Sequence, residues 1–197
     1  DALKTVEMSD SVVEVGERAF MACSSLETIK LSDSLKTIPQ DLCYRCENLK
    51  EVEFPQALET IEWGAFAEND KLERVVLKSA KTIGDKAFYR CDGLREVVFP
   101  DNLEAIGENA FADCESLKEV VFQNGLKTIG IYAFGGCDAL KTVEMPNSVV
   151  EVGESTFRSC SSLETIKLSD SLKTIPKDLC YLCKNLKEIE FPQALET

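Results

Sequence analysis

Two stretches of the sequence carry cysteines in the Cys-x-x-Cys spacing: Cys43 with Cys46, and Cys180 with Cys183. Thiols at this spacing can form a redox-active pair or supply two ligands to a zinc ion. A thioredoxin-like pair lies in a βαβ unit, and most zinc sites that use two cysteines are completed by histidine. Because the chain contains no histidine, the elements that carry the cysteines must decide between this chemistry and a structural role.

The cysteines belong to a repeat that runs through the whole chain. Each unit begins at a leucine and lasts 23 residues, except the unit from Leu72, which lasts 22. The eight full units and a partial ninth begin at Leu3, Leu26, Leu49, Leu72, Leu94, Leu117, Leu140, Leu163 and Leu186. In the unit from Leu94, apolar residues fill positions 1, 4, 6, 10, 13, 17, 18 and 21. Because so short a unit cannot enclose a core alone, it must bury its apolar face against its neighbours, which predicts a solenoid.

Each unit is predicted to contain two short extended segments. Apolar positions 4 and 6 alternate with polar ones, which is the period of a strand, and equivalent strands running in one direction stack as a parallel sheet. The Leu-x-x-Ile at positions 10 to 13 predicts a second segment on the opposite wall. A turn before the Ala-Phe pair is expected at Gly84, Gly107, Gly130 and Gly153. Prolines are expected to end the first strand at Pro55, Pro100, Pro146 and Pro192.

A longer period lies above the 23-residue unit. Residues 1–60 match residues 138–197 at about 50 positions, an offset of six units. This indicates duplication of a six-unit block. We therefore expect residues 1–197 to form a single array without terminal caps, taken from a longer array.

The pattern LxxVxFPxxLxxIGxxAFxxCxx resembles the BspA-like leucine-rich repeat, also called the Treponema pallidum type, over the whole chain. The resemblance implies a right-handed, curved superhelix with a parallel β-sheet on the concave face and short extended or turn segments on the convex face. It also implies binding or adhesion at a cell surface, in bacteria and in some parasitic protists. The departures are small: Asn69 replaces the cysteine at position 21, and the short unit carries Ala80 where others have leucine at position 10.

The repeat explains where the cysteines stand. Seven of them share position 21: Cys23, Cys46, Cys91, Cys114, Cys137, Cys160 and Cys183. The other two, Cys43 and Cys180, fill position 18, where most units carry phenylalanine. Thiols and the Asn69 amide both bond to backbone at turns, so the column is predicted to face carbonyls of the neighbouring coil. Stacked coils are close enough for disulfides, but the column members are equivalent and odd in number, so no pairing is preferred. We interpret the column as structural and mostly reduced, rather than redox-active or metal-binding.

Composition excludes several kinds of partner and chemistry. The formal net charge is -13, which argues against nucleic acid and anionic membrane surfaces. No apolar run approaches the roughly 18 residues of a membrane span. No constellation is unique to one unit, as catalysis requires, and no nucleotide-binding or calcium-loop spacing occurs. The sequence therefore predicts a protein that is not an enzyme and needs no cofactor or metal.

A candidate contact surface lies on the outward side of the first strand. Opposite charges alternate between neighbouring strands at both ends of the chain, which predicts a solvated surface. In the middle, three valines replace the charges at position 5, with charged residues beside them at position 3. The set is Val76, Val98 and Val121 with Arg74, Glu96 and Glu119. It has two interpretations, a protein-contact patch or the ordinary preference of strands for valine.

Trp63, on a turn, is either a contact anchor or packed against the next coil.

Together these features predict a non-enzymatic interaction or adhesion module. Its ligand would be a protein or glycan, such as a host surface or matrix protein, bound on the concave sheet or along the turns. The alternative is a structural protein that assembles head to tail through uncapped ends. The resemblance favours a cell-surface or secreted location, and an intracellular one stays open.

Overall fold

A computed structural model describes residues 3–192. These residues form a solenoid of parallel strands with about 23 residues per coil and no helix. The coils are numbered here by the repeat units, so that coil 1 begins at Leu3 and coil 9 at Leu186. The repeat architecture predicted from leucine spacing is therefore confirmed.

One wall of the solenoid is a ladder of three-residue strands, one from each coil. They are β1 Thr5–Glu7, β2 Thr28–Lys30, β4 Glu51–Glu53, β6 Arg74–Val76, β8 Glu96–Val98, β10 Glu119–Val121, β12 Thr142–Glu144, β14 Thr165–Lys167 and β15 Glu188–Glu190. The middle residue of each strand points inwards, as Val75 and Val97 show by being almost fully buried. The two flanking residues point outwards, because successive side chains alternate between faces. We call this wall the long-strand ladder and its outward surface the strand face.

A second wall is a ladder of two-residue strands contributed by coils 2 to 7. They are β3 Thr37–Ile38, β5 Thr60–Ile61, β7 Thr82–Ile83, β9 Ala105–Ile106, β11 Thr128–Ile129 and β13 Glu151–Val152. The strands pair in unbroken order from β3 to β13. The predicted segment was four residues long, and only its last two residues form the ladder. We call this wall the short-strand ladder.

The long-strand ladder is interrupted twice. Its strands are hydrogen-bonded in three groups, β1-β2-β4, β6-β8-β10 and β12-β14-β15. At both interruptions a coil with phenylalanine at position 6 is followed by a coil with a thinner side chain there: Phe54 precedes Leu77, and Phe122 precedes Met145. The sequence predicted one continuous sheet, so the breaks at β4/β6 and β10/β12 are a difference.

The centre of the core is a column of stacked phenylalanines at position 18. Neighbouring ring centroids lie 5.2 to 5.7 Å apart and the rings are nearly parallel. The column runs through Phe66, Phe88, Phe111, Phe134 and Phe157, all fully buried. Each aromatic contact contributes about 0.5–1.5 kcal/mol beyond simple burial, so the column fastens five successive coils together.

A third wall, the turn edge, is formed by positions 15 to 22, which in coil 2 are residues 40–47. Backbone N–H groups here donate to the next coil, as from Asp41 to the Trp63 carbonyl at 3.0 Å and from Arg45 to the Ala67 carbonyl at 2.9 Å. Positions 16 and 20 have left-handed backbone in every coil from 1 to 8, yet only Gly64 and Gly136 are glycine there. Left-handed backbone is unfavourable for other residues, and the inter-coil hydrogen bonds hold them in it.

The glycines predicted to form this turn have another role. Gly84, Gly107, Gly130 and Gly153 are not in the left-handed region. A side chain on Gly107 would place its Cβ 2.6 Å from the Asp85 nitrogen, and one on Gly130 would place it 2.5 Å from the Gly107 carbonyl carbon. The predicted turn follows directly after each of these glycines, but their role is to let the backbones of successive coils approach each other rather than to supply a left-handed residue.

Candidate functional site

The position-21 thiols bridge successive coils. The position-21 thiols of coil 2 and of coils 4 to 8 each donate to the carbonyl of the position-18 phenylalanine in the coil before, at 3.0 to 3.3 Å. In coil 3, Asn69 stands in place of the thiol. Cys91, in coil 4, bonds in this way to Phe66 at 3.2 Å. Burial raises the pKa of Cys91 to about 12 and that of Cys114 well above its usual value. Such thiols stay protonated at neutral pH, and a protonated thiol is neither a nucleophile nor a metal ligand.

Asn69 takes the place of a thiol in coil 3. Its amide Nδ2 donates to the carbonyls of Cys43 at 3.0 Å and Phe66 at 2.7 Å. Its Oδ1 is buried without a hydrogen-bond partner. The amide thus supplies the donor that the column needs but adds an acceptor that the site leaves unsatisfied.

The two Cys-x-x-Cys pairs follow from the same columns. Cys43 is fully buried in a slot that phenylalanine fills in most coils, and Cys46 lies in the thiol column. The contact with Cys46, together with burial, raises the pKa of Cys43. At the second pair, contacts with Cys160 and Cys180 lower the pKa of Cys183. All nine cysteines are free, and between residues 3 and 192 no His, Cys, Asp or Glu side chains are grouped so as to hold a metal ion.

At both ends of the strand face, side chains of opposite charge on neighbouring coils form ion pairs. In coils 1 to 3, the Glu27 carboxylate lies 3.3 Å from Lys4 and 2.8 Å from Lys50. In the last coils, Glu164 lies 2.7 Å from Lys187. These pairs are exposed to water, so they contribute little to stability and mainly keep the face solvated.

The centre of the strand face is different. The parallel register places Val76 beside Val98 and Val98 beside Val121. We call these three residues the valine row. Its exposure increases along the row: Val76 is half-buried, Val98 is 37% exposed and Val121 is 54% exposed. The structure therefore brings together the three valines that sequence reasoning singled out.

The charged residues beside the valine row are only partly paired. Arg74 makes a forked contact with Glu96, through Nε at 3.0 Å and an Nη atom at 3.3 Å. Glu119 lies opposite Glu96 in the register, so two carboxylates face each other across β8 and β10. At position 2, Arg95, Lys118 and Lys141 form a run of three cations on successive coils, of which Arg95 lies 3.5 Å from the Glu73 carboxylate. Like charges on neighbouring strands are unfavourable, so this region lacks the self-neutralising pattern of the ends.

A groove flanks the valine row on each side, at the two breaks of the long-strand ladder. The groove at β4/β6 has a volume of about 700 Å³, and Arg74 and Val76 line it. The groove at β10/β12 has a volume of about 330 Å³, and Glu119 and Val121 line it. Sequence reasoning missed both grooves. The only signal for them was the change from phenylalanine to an aliphatic residue at position 6.

Trp63 lies apart from the valine row, on the turn edge. Its side chain is 42% exposed, and the Lys86 ammonium lies 5.4 Å from the ring centroid. The structure thus places this predicted site residue on a different surface from the other six. The described residues contain no helix long and apolar enough to cross a membrane.

Comparison with known proteins identifies the repeat. The family model of the BspA type leucine rich repeat region matches residues 1–95 and 81–197, in six copies. The chain belongs to the BspA-type leucine-rich repeat family. Members of this family are generally protein-interaction modules and typically non-enzymatic scaffolds. No curated protein matches the chain.

Three solved BspA-type structures illustrate the relationship. A leucine-rich repeat protein from Bacteroides ovatus is 29% identical, with a TM-score of 0.70 over 94% of this chain and 54% of its own. The pneumococcal vaccine antigen PcpA is 21% identical, with a TM-score of 0.50 over 94% of this chain and 67% of its own. A leucine-rich repeat protein from Eubacterium ventriosum is 20% identical, with a TM-score of 0.50 over 94% of this chain and 65% of its own. The chain spans about half the length of the Bacteroides protein, and the two more distant structures share its fold.

Proposed function

We propose that the chain is a non-enzymatic binding module that holds a protein ligand against the centre of the strand face. The observation that carries the proposal is the valine row: three apolar side chains in register, between two grooves, on a face that otherwise carries charged residues. Membership of the BspA-type family supports a role in protein interaction. The same family membership supports the further proposal that the protein acts at the cell surface, as an adhesin for a host surface or matrix protein.

The physical basis is burial of apolar area. Covering Val98 and Val121 would contribute about 1–2 kcal/mol each, because both are now open to water. The charged residues beside the row supply a polar rim, which fixes orientation more than affinity. A ligand segment laid across the strands would contact all three valines and reach into both grooves.

The test is an adhesion assay on immobilised extracellular matrix proteins and epithelial cells, using beads coated with the chain. Val98→Asp combined with Val121→Asp should reduce adhesion at least tenfold, because it buries two unpaired carboxylates in the contact. A matched control is Val13→Asp combined with Val150→Asp, since these valines are 73% and 57% exposed on another wall. Equal adhesion by both double variants would contradict the assignment to the strand face.

A second candidate is head-to-tail assembly. Within residues 3–192, β1 and β15 pair with a neighbour on one side only, and Leu3 and Phe191 are about half exposed. Stacking of the end coils of two molecules would extend the ladder and cover these side chains. Light scattering across a dilution series should then show oligomers that Leu3→Lys and Val6→Lys abolish. A monomer at all concentrations would remove this candidate.

A further inference from the structure

A pocket of about 540 Å³ opens on the turn edge of the first three coils, away from the strand face. Its lining consists of Arg18, Met21, Gln40, Asp41, Tyr44 and Trp63. Small-molecule sites have volumes of about 300–1,000 Å³ and combine apolar or aromatic walls with a few fixed polar groups. The pocket has both features.

Asp41 supplies the fixed polar group. Its side chain is only 6% exposed, although it carries a charge. Its Oδ2 accepts hydrogen bonds from Arg18 Nε at 3.1 Å and from Gln40 Nε2 at 3.2 Å. Gly64 in the next coil makes room for it, since a Cβ there would lie 2.6 Å from Oδ1. The carboxylate is therefore held in one orientation by three successive coils.

The pocket retains hydrogen-bonding groups that the contacts among Arg18, Gln40 and Asp41 do not use. The Arg18 guanidinium is 57% exposed and uses its Nε for Asp41, which leaves its terminal N–H groups as donors. The Gln40 side chain gives one amide hydrogen to Asp41 and retains its carbonyl as an acceptor. Donors and acceptors thus stand side by side, and the Arg18–Asp41 pair leaves the site without net charge.

The walls are aromatic and held in place. Tyr44 donates its hydroxyl to Glu68 Oε1 at 2.8 Å, which fixes the ring. Trp63 is 42% exposed. Lys86 lies over the Trp63 ring at 5.4 Å but does not line the pocket.

The internal duplication supplies a comparison within the same chain. Residues 1–60 and 138–197 differ at ten positions, and seven of these lie on the turn edge. The seven substitutions are Arg18 to Ser155, Ala19 to Thr156, Met21 to Arg158, Ala22 to Ser159, Gln40 to Lys177, Arg45 to Leu182 and Glu47 to Lys184. Divergence between the copies is therefore concentrated on the wall that carries the pocket.

In coils 7 and 8 the second copy carries other side chains at the positions of Arg18, Met21 and Gln40. Asp178 and Tyr181 retain the types of Asp41 and Tyr44. However, the Arg158 guanidinium lies 4.7 Å from the Tyr181 ring centroid and covers that ring. In the first copy Met21 stands in place of Arg158, and the nearest arginine, Arg45, lies farther from the Tyr44 ring centroid, at 6.0 Å.

We propose that the pocket at Arg18, Asp41 and Trp63 binds a neutral pyranose ring, such as a hexose or N-acetylhexosamine of a glycan. A pyranose presents an apolar C–H face, which packs on the electron-rich face of an indole or phenol ring. Its edge carries hydroxyl groups that both donate and accept, and these match the carboxylate, amide and guanidinium groups side by side. An anionic ligand is disfavoured by the buried Asp41 carboxylate, and a cationic one by Arg18, which already neutralises it.

The test uses the intrinsic fluorescence of Trp63, the one tryptophan of the chain. The probes are the methyl glycosides of glucose, galactose, mannose and N-acetylglucosamine, with tetramethylammonium and inorganic phosphate as charged comparisons. At least one glycoside should change the Trp63 emission with a millimolar dissociation constant, and saturation-transfer NMR should detect the same glycoside. A failure of all four glycosides in both measurements would overturn the proposal, as would binding of a charged probe alone.

The decisive variant replaces the first copy's residues by those of the second: Arg18→Ser with Met21→Arg and Gln40→Lys. The fold already accommodates this set in coils 7 and 8, so the variant should fold while glycoside binding weakens at least tenfold. Tyr181→Ala in the second copy is the control and should bind as the wild type does. Unchanged binding by the triple variant would overturn the proposal.

The proposal is independent of the protein ligand assigned to the strand face. Val98→Asp combined with Val121→Asp should retain glycoside binding, because those valines lie on another wall. Loss of glycoside binding in that variant would overturn the location on the turn edge.

Discussion

The centre and the ends of this solenoid are built to the same repeat but differ in what they leave exposed. The ends, residues 1–60 and 138–197, are near copies whose strand faces neutralise their own charges. The centre, residues 61–137, carries the valine row, opposed carboxylates and the middle of the phenylalanine column. A common core therefore leaves the outward positions free to differ, as the valine row of the centre and the turn-edge substitutions between the two end copies show.

The largest test of this comparison concerns the core. Phe111→Ala removes a ring stacked at 5.2 and 5.3 Å on both sides, and should lower the free energy of unfolding by about 3–5 kcal/mol. Phe20→Ala, at the same repeat position in coil 1 but partly buried and outside the stacked column, should cost about 1–2 kcal/mol. Urea unfolding followed by circular dichroism measures both. Equal losses would show that the end coils are as tightly packed as the centre.

The thiols provide a pH-dependent test. Burial raises the pKa of Cys91 from 9.0 to about 12, so the folded chain keeps a proton that the unfolded chain releases. The stabilisation is complete below the unfolded value near 9 and is lost as the pH rises towards 12. The urea midpoint of the wild type should therefore fall more steeply above pH 9 than that of Cys91→Ala. Cys23→Ala, at a half-buried end thiol, should change this slope less, and an identical slope in all three proteins would contradict the burial argument.

Exchanging asparagine and cysteine at position 21 tests the role of the thiol column. Asn69→Cys restores the column and removes the buried Oδ1 that has no partner, so it should stabilise the fold by about 1 kcal/mol. The converse change, Cys114→Asn, should destabilise it by introducing such an acceptor in the centre. Thermal unfolding of the two variants measures the difference. Destabilisation by Asn69→Cys would mean that the amide makes a contribution beyond its two hydrogen bonds.

The smallest effects are expected on the strand face. Glu27→Gln breaks the contacts with Lys50 and Lys4 that lower the pKa of Glu27, and should slightly lower the urea midpoint at low salt. Glu119→Gln relieves the repulsion from Glu96 and should slightly raise it. Both changes should shrink in concentrated salt, because the charges are exposed. Shifts of the same sign would remove the distinction between paired ends and an unpaired centre.

Much of the fold could be predicted because every coil repeats one apolar pattern. A residue that departs from the pattern in one coil does not hide it, since the other coils show it. The spacing from Leu3 to Leu186 gives the coils, and the offset of 23 residues places Val98 beside Val121. The role of the glycines was assigned wrongly because close approach of neighbouring backbones, as at Gly107, leaves the same residue type as a turn. The ladder breaks escaped prediction because both coils at a break keep an apolar residue at position 6, as at Phe54 and Leu77, so the apolar pattern is the same as where the strands pair.

The turn-edge pocket was predictable only in part. Trp63 was singled out as an exposed aromatic residue, but Asp41 looked like any acid on a turn. Its burial depends on Gly64 and Arg18, which lie one coil after and one coil before it, and on the relative height of the three coils. Contacts between residues of different coils depend on the backbone geometry, and the repeat pattern of the sequence does not give that geometry.

The two breaks in the long-strand ladder have a mechanical consequence. The short-strand ladder runs unbroken from β3 to β13, whereas the opposite wall is divided into three panels. The solenoid should therefore resist extension along the short-strand ladder and bend most easily at the two breaks of the long-strand ladder. A ligand bound at the β4/β6 joint would part side chains, whereas one at the β10/β12 joint would also meet the hydrogen bond from the Lys141 N–H to the Lys118 carbonyl, at 3.4 Å.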